Sequence, residues 1–235
     1  MEGGAFSTEQ FKNFSDQFTL YVKIVSRIEG DVNEDQLYKL VGRQAYPTVL
    51  FLDSDGELLG KLGSTRTIEA MKGMANKGIT IARYKKMAKE GDRNALIEVT
   101  IARLEINSIS FEEASKVLPD QNDFSVQQKE RWGLAELSNQ IHVLTRGIGR
   151  DTGARKKAAE KMYALYKDGK RPVTDGDILN FWNYVLLHAE SIRDVDAYEL
   201  GIESVRERYG KRTGYWKKWF AKHEATLKKL KAEGK

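Results

Sequence analysis

Cysteine is absent from this 235-residue sequence. That excludes disulfides, thiolate metal sites and every mechanism in which a thiol of this polypeptide takes part. It also leaves the redox state of the compartment unreadable. Histidine is scarce: His142, His188 and His223 are the three imidazoles, no two close in sequence. The spaced His or Cys pairs of the usual zinc sites are therefore missing, and each histidine is expected to pack or to lie on a surface. No run of about 18 apolar residues exists that would span a bilayer as a helix. The opening residues lack the basic, apolar, small-residue succession of an export signal. Gly-x-Ser-x-Gly, a glycine-rich phosphate loop and His-Glu-x-x-His are missing as well. What is present is ordinary for a globular chain: 40% hydrophobic, 10% aromatic and 31% charged residues, enough for packed cores in one or two domains.

The formal charge of +5 is uneven. Residues 1–78 carry 9 Lys/Arg against 11 Asp/Glu, whereas Lys211–Lys235 carries 9 against 2. The basic character comes from the tail, not from a diffuse positive body of the kind that suits nucleic acid. Nucleic acid is therefore not an expected partner.

The N-terminal third reads as α/β. Ser7 or Thr8 caps a short helix through Phe11 and Phe14. Phe18–Val25 is apolar and β-branched enough for a strand, and Asn33 opens a helix through Leu37 and Val41, ended by Gly42. Pro47–Leu52 and Glu57–Leu62 form an antiparallel hairpin about the Ser54-Asp55-Gly56 turn. Thr65 or Thr67 then caps a helix through Ile68, Met71 and Met74.

This order, together with the stretch GRQAYPTVLFLDSDGELLGKLG (Gly42–Gly63), resembles the later two-thirds of a thioredoxin-like domain. The resemblance implies a cis-proline at Pro47, with Tyr46, Pro47 and Thr48 edging a groove that holds an extended substrate strand. It also implies relatives that exchange thiols and disulfides, with a first strand and a Cys-x-x-Cys motif ahead of the region matched here. Both are missing, so the chain is expected to be redox-inactive and N-terminally shortened, a fragment of a disulfide-handling protein. The alternative is a non-catalytic module that captures protein or peptide partners through the groove edge and the helices that follow. Similar proteins are often exported in bacteria, which leans toward a periplasmic location; a genuine start at Met1 leans toward the cytoplasm.

From Ile79 onward apolar residues recur at three–four spacing. Helices are predicted near Ile79–Glu90, Arg93–Ile106, Phe111–Val117, Val126–Thr145, Ala154–Lys167, Asp177–Ser191, Val195–Tyr209 and Tyr215–Lys231. The short links imply helical hairpins. Leu179–Gly210 resembles a tetratricopeptide-type pair, with small Ala189 and Gly201 inside and Tyr198 and Tyr209 as packing knobs. The expected organisation is a partial thioredoxin-like unit over residues 5–76 and an all-α, repeat-like unit over 79–235, whose stacked hairpins suit a protein partner.

Asp53-Ser54-Asp55-Gly56-Glu57 has the opening of a calcium loop, but Leu58-Leu59 follows where further ligands belong, and a hairpin turn accounts for every residue. No metal and no cofactor is expected. Gly147–Gly153 looks like a phosphate nest, yet follows a helix and lacks the lysine; it reads as a connector. In the tail, Trp216, Trp219, Phe220, His223, Leu227 and Leu230 share one helical face while Lys217, Lys218 and Lys222 fill others. A capping helix with a docked apolar face is the plain reading. Attachment of this surface to a partner or an anionic membrane, or contact with nucleic acid, remain alternatives.

Overall fold

The computed structural model describes residues 5–20, 49–62, 67–149 and 151–233. They divide into two compact units, residues 1–109 with 116–119, and residues 110–115 with 120–235. The coarse class is mixed α/β followed by helices. The groove residues Tyr46, Pro47 and Thr48, most of the Phe18–Val25 stretch and the helix expected from Asn33 lie outside the described residues.

In the first unit a 3-10 turn, Ala5–Ser7, leads into α1 (Glu9–Ser15). The Thr8 hydroxyl accepts the Phe11 N–H at 3.1 Å, as an N-cap should. Phe18 to Leu20 are irregular, not strand; Phe18 instead sets its ring edge-on to Phe51, 5.1 Å between centroids. The hairpin is present as β1 (Leu50–Leu52) and β2 (Leu58–Lys61), antiparallel, with Phe51 opposite Gly60 and an irregular step before Leu52. Gly56, at φ +79°, supplies the left-handed position that the turn requires.

The expected break near residues 76–79 is not there. One helix, α2 (Ile68–Lys89), runs through it, capped by the Thr67 hydroxyl. Gly78 lies within this helix, and its missing side chain makes room for the Phe51 ring. A Cβ there would lie 2.3 Å from Phe51 Cδ1. Leu59 and Ile81 are buried beside it, and α3 (Arg93–Glu105), capped by Asp92, contributes Val99 and Ala102 to the same cluster. Gly91, at φ +96°, turns the chain between these two helices.

The second unit is helical. The chain passes through α4 (Phe111–Val117), whose first residues belong here, into α5 (Val126–Thr145). Ser125 and Gln128 form a reciprocal capping box at the start of α5. Three helices follow, α6 (Thr152–Lys167), α7 (Asp175–Ile192) and α8 (Val195–Tyr209), and the tail forms α9 (Tyr215–Glu233). Their shared core holds Phe181, Trp182, Val185 and Ala189 of α7 against Tyr198, Ile202, Val205 and Tyr209 of α8. Gly201 is inside, as its spacing predicts: a Cβ there would meet Leu186 Cδ2 at 2.8 Å and Trp182 Cε3 at 3.0 Å. The Gly147–Gly153 segment ends in an N-cap. Asp151 Oδ1 accepts the Gly153 and Ala154 N–H groups at 2.8 and 3.0 Å, so a carboxylate occupies the place where a phosphate would sit.

Candidate functional site

Three places in the described residues gather polar or exposed apolar groups. The first is the seam beneath α9. Its aromatic stripe faces α7 and α8: Trp216 stacks flat on Tyr209, centroids 3.9 Å apart and planes 5° off parallel. Trp219 is buried and its indole N–H donates to Asn183 Oδ1 at 3.0 Å. His223 Nδ1 and the Tyr198 hydroxyl share a 2.7 Å hydrogen bond, with the imidazole 4.2 Å from the Trp219 ring. Burial, aided by the Lys222 charge, pushes the His223 imidazolium down to about 4, and burial raises the Tyr198 phenol to about 12. Both groups are thus neutral at ordinary pH and serve to lock the helix.

The candidate tail residues therefore separate. Trp216, Trp219 and Phe220 turn into the unit, the last beneath the Arg206 guanidinium at 5.4 Å. Lys217, Lys218 and Lys222 are exposed.

The second place is the hairpin tip. Asp53 Oδ1 accepts the Asp55 and Glu57 N–H groups at 2.9 and 2.8 Å. Lys85 of α2 sets its ammonium 2.7 Å from Asp53, 3.2 Å from Asp55 and 3.1 Å from Glu57. Burial alone would raise the Asp53 carboxyl; the Lys85 hydrogen bond and the backbone N–H groups outweigh it and hold it below the ordinary range. Its hydrogen bond to Asp53 is the main force holding the Lys85 ammonium above its ordinary value. The carboxylates that suggest a calcium loop in the sequence are thus neutralised by a lysine from another element. Among the described residues no group of three or more ligands is placed to hold a metal ion.

The third place is a groove between α5 and α6, about 360 Å³ in volume, lined by Asn139, Gln140, Val143 and Leu144 on one side and Lys161, Ala164 and Leu165 on the other. Val143 is 62% exposed within it. Apolar side chains form most of the lining, and Lys161, exposed, contributes to it as well. Nearby, Tyr163 donates its hydroxyl to Asp194, which also caps α8 through the Ala197 N–H. Burial and the neighbouring carboxylate push the Tyr163 phenol up to about 12, which holds it as a donor.

No family model, curated protein or solved structure matches the chain. The chemistry of these sites therefore rests on their own geometry. The sequence pointed to the tail face and the hairpin turn, because each is written in local spacing. It did not point to the α5–α6 groove, which two helices make jointly. Val143, an apolar residue off the buried Leu137–Ile141 stripe, was the one signal present.

Proposed function

We propose that this chain is a non-catalytic module that binds protein partners, built from a thioredoxin-like part and a helical array. The observation that carries it is the open apolar groove between α5 and α6, where Val143, Leu144 and Leu165 face solvent or its edge without a covering segment among the described residues. Grooves of this kind take the apolar anchors of a peptide or helix. The thioredoxin-like part rests on the Gly42–Gly63 sequence resemblance alone; the antiparallel β1–β2 hairpin packed against α2 neither adds to it nor counts against it. The thiol chemistry that the resemblance implies is closed to this polypeptide, which has no cysteine.

Selection of a displayed random-peptide library on the immobilised chain tests the reading. Peptides carrying two or more apolar anchors should be enriched. Val143→Glu, a surface change that leaves the core intact, should abolish their binding. Peptides that bind this variant unchanged, or a library that yields no binder, would overturn it.

A further inference from the structure

The cations on and beside α8 are largely paired within the unit. Arg206 meets Glu224 at 2.6 Å, Arg208 and Arg212 share Asp175, and Lys231 of α9 reaches Glu199 at 2.7 Å. The outward face of α9 is different. Lys217, Lys218, Lys222 and Lys228 are exposed and form no ion pair among the described residues. Lys229 meets only Glu233, at 3.7 Å, and that carboxylate is shared with Arg193.

At roughly 100° per residue, Lys217 and Lys228 align in one row and Lys218, Lys222 and Lys229 in a second. Between the rows lie Ala221, Ala225 and Ala232, all exposed. The rows extend for ~18 Å at the helical rise. This is a rigid positive surface with a low centre and raised charged flanks, held in place by the aromatic stripe docked beneath it.

We propose that this face of α9 docks an acidic α-helical segment of a protein partner. Its carboxylates would meet both lysine rows while its backbone lies over the low strip, in the way that flanking charges select partners in packed helix pairs. The arrangement favours this occupant over the other polyanions. A bilayer is drawn by apolar insertion as well as charge, and the tryptophans that could insert are turned inward. Single-stranded nucleic acid needs a run of stacking rings; Trp216 is stacked on Tyr209 and Trp219 is buried, which leaves Tyr215, at the start of the helix, as the exposed ring of α9. Arginine forks, which suit phosphate pairing, are absent from the face. The surface is separate from the α5–α6 groove, so the loss of one leaves the other.

The test uses the full chain and a fluorescein-labelled helical peptide of glutamate and alanine, followed by anisotropy at low salt. Binding is expected, weakening as salt rises. The triple reversal K218E/K222E/K229E, folded by circular dichroism, should bind at least about tenfold more weakly, since exposed ion pairs are individually small and add along the rows. The matching Lys→Arg triple should bind like the parent, and Val143→Glu should leave this binding unchanged. No binding by the parent, or equal binding by the reversal, would overturn the proposal. So would loss of binding in Val143→Glu, which would place the peptide in the groove. Tighter binding of a DNA duplex or of phosphatidylserine vesicles than of the peptide would also overturn it, by assigning the face to a different polyanion.

Discussion

Two side chains, Lys85 and His223, concentrate the electrostatic consequences of the fold. The Lys85 side chain is 18% exposed, and its ammonium stands among Asp53, Asp55 and Glu57. Replacing it by methionine keeps the stem and removes the charge, leaving carboxylates that repel one another with one of them, Asp53, largely buried. Lys85→Met should lower stability to urea by about 1–2 kcal/mol at neutral pH, between the exposed and the fully buried cases. The deficit should shrink as acid protonates the carboxylates; a deficit that does not change with pH would point to packing instead. The His223 imidazole is itself shifted downward, not upward like the Lys85 ammonium. Its folded value lies near 4, below the ordinary 6.5, so the unfolded chain takes up the proton first as pH falls. The contribution of His223 is complete above 6.5 and is lost between 6.5 and 4. His223→Gln, which cannot titrate but can still bond to Tyr198, should flatten the thermal midpoint of the second unit over that window. An unchanged slope would show that His223 protonates without cost.

At the scale of elements, glycine separates packing from propensity. Gly78 lies in α2 against the Phe51 ring, where a Cβ would come within 2.3 Å, whereas Gly133 in α5 has nothing within 4 Å of that position. Gly78→Ala should therefore destabilise by about 1–3 kcal/mol through overpacking. Gly133→Ala should stabilise by about 0.5–1 kcal/mol by restricting the unfolded chain and favouring helix. Denaturant titrations of both variants check the signs, and a gain from Gly78→Ala would refute the Phe51 contact. The same pair explains what could be read ahead of the structure. From Val126 to Tyr209 the predicted helices are present, because apolar spacing is local, but two predicted starts, Ala154 and Asp177, fall two residues late, inside the first turns that Asp151 and Thr174 cap. The role of Gly78 was not legible, since the ring it accommodates comes from a strand earlier in the chain. The Lys85 pairing and the Tyr198–His223 bond were hidden for the same reason, while the turn and the tail stripe they belong to were plain.

For the molecule as a whole, the absence of cysteine and the presence of an open groove point the same way. In an insulin-reduction assay with dithiothreitol the chain should add nothing to the rate of the small thiol, because no thiolate is available to attack or to resolve a mixed disulfide. Peptide capture by the α5–α6 groove is measured most directly by a heteronuclear NMR titration of the isotope-labelled full chain with a library-selected apolar peptide. Saturable shifts are expected, centred on Val143, Leu144, Ala164 and Leu165, with the β1–β2 hairpin silent. Shifts that spare those four residues and gather elsewhere, or no shifts at saturating peptide, would contradict it.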